Sequence, residues 1–285
     1  NNTVNGRPVY YYNTPDEENA EVPLDAGQVI VGGASYLHIH NLNLSNQNYA
    51  LIIGSSTDIL IENNTFEDNS PYAVFSYDSD DNIYNNNTFN NSDYSLQLSF
   101  CANNELLNNT FFGGEYGAFL DQSDMADLEN NTINQTSTMG ISIYYSSSCN
   151  LQNNSLNQSS IDIQGNDGVF GSQTISVTNT VNGGPVYYFA NMNADNDSII
   201  PLDAGEVILG DMVFTNVSNL NLSSQNLGLL IGYSSNITVF SNIMDSNYPY
   251  GIRLYDAIDC RIEQNQITSC DTGVSVENSI RNVFI

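Results

Sequence analysis

Asn63-Asn64-Thr65-Phe66 returns along the chain as Asn86-Asn87-Thr88-Phe89, Asn108-Asn109-Thr110-Phe111, Asn130-Asn131-Thr132-Ile133 and Asn153-Asn154-Ser155-Leu156. The hydroxyl residues stand at 65, 88, 110, 132 and 155, a step of 22 or 23. A fixed period of this size signals a solenoid, in which each repeat contacts only its neighbours. Each period holds two short alternating apolar segments, such as Ile59-Leu60-Ile61 before the Asn pair and Gly140-Ile141-Ser142-Ile143 about ten residues after one. Alternation with period two means strands with one face buried. With no helical period, the expected fold class is all-β, a parallel β-helix of ~22-residue coils.

The repeated Asn has a physical reason in such a fold. Sharp turns need residues that tolerate left-handed backbone angles, and Asn does so better than most. Coils stack at ~4.8 Å. Asn64, Asn87, Asn109, Asn131 and Asn154 should therefore lie one above another and bond up the stack, as in cross-β ladders. Leu51, Val74, Leu96, Ala118 and Ile141 should form one inward column, continued by Ile252 and Val274 later in the chain.

A longer repeat overlies the short one. Asn2-Thr3-Val4-Asn5-Gly6-Arg7-Pro8-Val9-Tyr10-Tyr11-Tyr12 returns as Asn179-Thr180-Val181-Asn182-Gly183-Gly184-Pro185-Val186-Tyr187-Tyr188-Phe189. Pro23-Leu24-Asp25-Ala26-Gly27 returns as Pro201-Leu202-Asp203-Ala204-Gly205, and Leu42-Asn43-Leu44-Ser45 as Leu220-Asn221-Leu222-Ser223. The expected organisation is two tandem modules, 1–170 and a shorter 171–285, with the junction near Gly165–Gly171. Variable polar loops fill 13–21 and 191–198. At ~22 residues per coil the chain makes roughly 12 coils and a rod ~60 Å long.

Charge excludes several functions. Arg7, Arg253, Arg261 and Arg281 are the only cations besides His38 and His40, there is no Lys, and the net charge is −28. Nothing can neutralise phosphates, which excludes nucleic-acid partners and anionic membranes. The balance suits a protein bathed in salt or divalent cations outside the cell. No run reaches the ~18 apolar residues of a membrane span. The chain starts at Asn1 without an initiator Met, the pattern of a removed leader or an excised segment. Sequons at Asn43, Asn63, Asn86, Asn108, Asn134, Asn196, Asn221 and Asn236 are candidate glycan acceptors, although an Asn/Ser/Thr-rich repeat generates sequons by chance.

The opening box, the Pro-Leu-Asp-Ala-Gly-Gln-Val-Ile segment (23–30) and the Ser-Ser-Asn-Ile-Thr-Val coil (234–239) resemble NosD-type parallel β-helix (PbH1) repeat proteins. They are similar in particular to versions found in cell-envelope proteins of methanogenic archaea, which form sheaths or surface layers. The resemblance covers nearly the whole chain. It implies a right-handed β-helix, an extracellular location in the cell envelope and a structural role. The alternative is a glycan-binding or glycan-processing module, because right-handed β-helices include polysaccharide lyases and hydrolases.

Few residues suggest chemistry. A lyase gathers carboxylates with Arg or Lys, and the four Arg lack that setting; Phe75 stands where Arg253 does in the second copy. No catalytic residue and no cofactor is expected. Asp78, Asp80 and Asp81, and then Asp121, Asp124 and Asp127, read as turn residues with weak calcium binding as their one cation role. His38 and His40 alternate on one strand and can share a metal, but the second copy has Asn216 and Ser218 there and no third ligand is near in sequence.

Assembly is the expected partner chemistry, a homopolymer with envelope glycans as a further candidate contact. Unpaired coil edges at Asn2, Val4, Val283, Phe284 and Ile285 should recruit another copy end to end, with coils in register as in an amyloid-like wall. Cys101, Cys149, Cys260 and Cys270 form no Cys-x-x-Cys pair and read as disulfide cross-links. Cys260 and Cys270 share a coil, while Cys101 or Cys149 should link to another chain.

Overall fold

The computed structural model describes residues 2–15, 20–191 and 200–285; the sequon at Asn196 and most of the two variable loops lie outside them. The chain is an all-β right-handed solenoid of about 12 turns with ~22-residue coils. Each coil contributes a long strand and two short ones, as in Tyr49–Gly54, Leu60–Glu62 and Thr65–Glu67. The short strand after the Asn pair is new. With a single inward apolar residue it carries no alternation for a sequence reading to detect. Parallel pairing sets Leu51 against Val74, Val74 against Leu96, Leu96 against Ala118 and Ala118 against Ile141, the inward column read from the sequence. Ile252 pairs with Val274 in the same way. Phe66, Phe89 and Phe111 stack behind the Asn corner with centroids 5.0 and 4.8 Å apart.

The two residues of each Asn pair divide the work. The first, at 63, 86, 108, 130 and 153, turns the chain with φ between 53° and 58°. The second is buried and faces its equivalents. Asn64 Nδ2 donates to Asn87 Oδ1 (3.0 Å), Asn87 to Asn109 (3.1 Å), Asn109 to Asn131 (3.1 Å), Asn131 to Asn154 (2.9 Å) and Asn154 to Asn179 (2.9 Å). Each Oδ1 also accepts the backbone N–H of the Asn one coil earlier, as Asn109 Oδ1 does from Asn87. The corner therefore leaves few buried polar atoms without a partner.

The opening box builds a hairpin. Thr3–Val4 pairs antiparallel with Arg7–Pro8, and Thr180–Val181 with Gly184–Pro185. Asn5 Nδ2 donates to the Ser45 and Asn46 carbonyls, and Asn182 Nδ2 to those of Ser223 and Ser224. The Gly closing Pro-Leu-Asp-Ala-Gly lies against this hairpin: a Cβ would come 2.4 Å from the Val4 carbonyl oxygen at Gly27 and 2.2 Å from that of Val181 at Gly205.

The rod does not continue straight through the second opening box. A nine-stranded sheet of long strands ends at Ile161–Gln164. Next come the short helix Asp167–Ser172, capped by Asn166, and the strands Thr174–Ile175 and Thr180–Val181, which continue the other two sheets of the first stack. The next long strand, Gly184–Ala190, pairs with Thr180–Val181 and Glu206–Gly210 and not with Ile161–Gln164. A new stack starts there with its own core, lined by Val207, Leu209, Leu229, Ile231, Ile252 and Leu254. The opposite face of the same sheet carries Val186, Ile208, Leu227 and Leu230 into the core of the first stack. The second stack thus lays an outward sheet face across the coil end of the first. In-register stacking of coils does not join the two.

Candidate functional site

The junction gathers the buried charge of the molecule. The free edge of Ile161–Gln164 meets side chains where another strand would lie. The Ile161 N–H donates to both carboxylate oxygens of Glu206 (3.2 and 3.1 Å). Asn226 Oδ1 accepts from Ser160 N (3.1 Å) and its Nδ2 donates to the Thr136 carbonyl (2.8 Å). Ser160 Oγ accepts from Leu227 N and donates to Leu227 O. Phe170, fully buried, sits against Gly210 and Gly232, and the Tyr188 hydroxyl donates to its carbonyl.

Arg253 Nη1 donates to both oxygens of Asp162 (3.0 and 2.8 Å), and Nε and Nη2 donate to Glu277. Burial opposes the guanidinium charge, but Asp162 and Glu277 outweigh it and hold Arg253 firmly protonated. Burial pushes the Asp162 carboxyl up while Arg253 draws it down, and the two-contact geometry is that of an ionised pair. Glu206 has no cation. Burial drives its carboxyl well above the usual range, and the charge of Asp162 adds to that. A cleft of about 340 Å³ opens here, lined by Tyr116, Gln164, Tyr250, Arg253, Asp162 and Glu277 among others.

The first stack presents the corresponding outward face, and among the described residues nothing lies across it. With the 177–178 residue offset, Gln28, Ile30, Asn48, Tyr49, Ile52 and Phe75 stand where the second stack has Glu206, Ile208, Asn226, Leu227, Leu230 and Arg253. Ile208, Leu227 and Leu230 are fully buried, whereas Ile30, Tyr49, Ile52 and Phe75 are half-exposed and Asn48 is exposed. Tyr49, Tyr72, Tyr94 and Tyr116 stack along this face with centroids 5.2, 5.1 and 4.8 Å apart, ending at the cleft. Burial raises the Tyr116 phenol to about 12.

The residues nominated from sequence fall elsewhere. Asp78 accepts from Ser55 Oγ and Asp80 from Ala102 N, while Asp78 and Asp81 turn the chain at φ 49° and 56°. Asp121, Asp124 and Asp127 accept from Ser99, Ser147 and Asn150. These are bonds between successive coils. Among the described residues, the one group of His, Cys, Asp and Glu side chains close enough to hold an ion is Glu21, His38 and His40. Neither Asp cluster forms such a group among the described residues. Glu21 joins the His pair from the neighbouring coil, a residue the sequence reading did not bring to them.

The cysteines are corrected too. All four are free thiols, and Cys101, Cys149 and Cys260 are buried. Burial raises the thiols of Cys101 and Cys260, and that of Cys149 to about 12. Cys101 and Cys149 point into the core from different corners, against Ser99 O and Ser123 O, so neither can reach another chain. Of the assembly edges, Asn2 is exposed, Val4 is in the opening hairpin, and Val283, Phe284 and Ile285 are exposed on the outermost coil of the second stack. The sequence did signal the junction. Val207-Ile208-Leu209 and Leu229-Leu230-Ile231 are continuous apolar runs, the mark of strands covered on both faces.

The chain belongs to the right-handed β-helix family, whose model, described as the right handed beta helix region, matches residues 27–199. The model described as periplasmic copper-binding protein (NosD) matches residues 173–285. That stretch contains no His, and among the described residues Cys260 and Cys270 fall in no group of three or more His, Cys, Asp and Glu side chains close enough to hold an ion. No curated protein matches the sequence. Among solved structures, the fold is similar to PfbA, a surface adhesin of Streptococcus pneumoniae (10% identity, 97% of this chain and 81% of that one, TM-score 0.50). It also matches a catalytic-domain variant of GH87 alpha-1,3-glucanase in complex with nigerose (12% identity, 98% and 60% coverage, TM-score 0.44). A third match is alginate lyase from Paenibacillus sp. str. FPU-7 (11% identity, 90% and 76% coverage, TM-score 0.36). The chain spans 60% of the glucanase domain, and at these identities the likeness is one of fold.

Proposed function

We propose that this chain is a structural subunit of an extracellular proteinaceous envelope, a sheath or surface layer, and that copies associate by laying an outward sheet face across a coil end. One observation carries the reading. The second stack uses its outward face to close the coil end of the first, while the first stack carries an equivalent face, with Gln28, Ile30, Asn48 and Ile52 in matching places, that no described residue covers. Ala50-Leu51-Ile52-Ile53 is a continuous apolar run like that of the covered strands. The partner is a second copy of this chain. The net charge of −28 and the word periplasmic in one matching family description support an extracytoplasmic place. Any covalent link between copies falls to Cys270, the one thiol that is not buried.

Sedimentation velocity on the purified chain tests this. Association that grows with protein concentration and with salt is expected, and a monomer under all conditions would refute it. A second reading, a glycan-binding or glycan-processing module, is favoured by the run of stacked tyrosines ending in a cleft with Arg253, Asp162 and Glu277. Incubation with a polysaccharide panel separates the two: retention or cleavage of a chain by monomeric protein would replace the structural reading.

A further inference from the structure

We infer that Glu21, His38 and His40 form a binding site for a divalent transition ion of the zinc type. His38 and His40 project from one face of the strand His38–His40, while Ile39 between them is buried in the core. Their rings stack with centroids 4.1 Å apart and planes at 26°. Glu21 lies beside them through a parallel bridge to His38, and its carboxylate comes 3.7 Å from His40 Nε2. Nitrogen and oxygen atoms of the three residues all lie within 4.8 Å of one another. That spacing lets small side-chain rotations close on one ion. Two imidazoles and a carboxylate suit zinc, with the fourth position open to water.

A neighbouring side chain bonds each ring. Glu62 lies 2.8 Å from His38 Nε2, and Asn41 Nδ2 lies 2.7 Å from His40 Nδ1. A ligating His commonly gives its other ring N–H to such an acceptor, which fixes the tautomer. Accepting the Nε2 proton, Glu62 leaves His38 Nδ1 free. Asn41 Nδ2 faces His40 Nδ1, and a turn of that amide would set its oxygen against an Nδ1 proton and leave Nε2, which faces Glu21, for the ion. The repeat does not itself require these residues, because Asn216 and Ser218 fill the matching places in the second copy.

The ion has a structural use. His38–His40 is the edge strand of its seven-stranded sheet, and beyond it only the isolated bridge at Glu21 continues the pairing. An ion shared by Glu21 and the two His would clip that bridge to the sheet. The copper-binding family description attaches to 173–285, which contains neither His, so the site is not inherited from it.

Zinc titration against a chromophoric chelator, with excess magnesium to occupy the acidic surface, should give one site per chain. His38→Ala and His40→Ala should each weaken binding at least about tenfold, and Glu21→Gln should weaken it measurably, with circular dichroism confirming the fold. Copper(II) as a spectroscopic probe should show coupling to two imidazole nitrogens by electron paramagnetic resonance. No zinc binding, equal binding by the double His variant, or an all-oxygen copper spectrum would overturn the assignment.

Discussion

At the residue scale, two neighbouring asparagines do different jobs, and substitutions should separate them. Asn109 Oδ1 accepts from both Asn87 N and Asn87 Nδ2, and its own Nδ2 donates to Tyr84 O and Asn131 Oδ1. Asn109→Ala strands several buried polar atoms at about 1–3 kcal/mol each. Thermal or urea unfolding should show a loss of roughly 3 kcal/mol or more. Asn108, at φ 55°, turns the chain and donates one exposed bond to Asn85 Oδ1 (3.0 Å), so Asn108→Gly should cost about 1 kcal/mol or less. Glu206 predicts a pH effect. A carboxyl whose folded pKa lies above its unfolded value contributes its stability in full below the unfolded pKa and loses it as pH rises through the folded one. Glu206→Gln removes that dependence. The variant should match the parent below about pH 4 and melt higher at pH 8, by roughly 2–4 °C for each kcal/mol gained. Equal melting curves at both pH values would mean that Glu206 is not a buried acid.

At the scale of the element, one sheet face appears twice, covered in one place and open in the other. Leu230→Arg puts an unpaired charge into the junction and should cost about 4 kcal/mol or more. Ile52→Arg, at the matching half-exposed place, should change the melting point little, by less than about 1 kcal/mol, yet abolish association in sedimentation. The coil period and inward column were legible in the sequence because a buried face enforces register. The third strand was not, because three residues carry no period. The carboxylate beside His38 and His40 was hidden for a related reason: Glu21 precedes His38 by 17 residues, short of the coil period, so alignment on the repeat passes over it.

At the scale of the whole molecule, the duplication was plain in the sequence and its geometry was not. A tandem repeat of solenoid modules suggests one long rod, but the second opening box turns the chain into an antiparallel hairpin, and the outward face of the new sheet closes the old stack. The clue was the double-sided apolar character of Glu206–Gly210 and Leu227–Gly232, which a rod with a solvated exterior leaves unexplained. The net charge of −28 opposes contact between copies. Salt shortens that repulsion to ~8–10 Å while leaving apolar contact intact, so association should strengthen as ionic strength rises. Weakening with salt would point to ion pairs in place of the face described.

The most direct measurement is cryo-electron microscopy of the assembled chain. The face formed by Gln28, Ile30, Asn48, Ile52 and Phe75 should be found covered by another copy, in the arrangement that Glu206, Ile208, Asn226 and Leu230 already adopt within one chain. Particles in which that face meets solvent, or assemblies joined by coils stacked in register, would contradict the account.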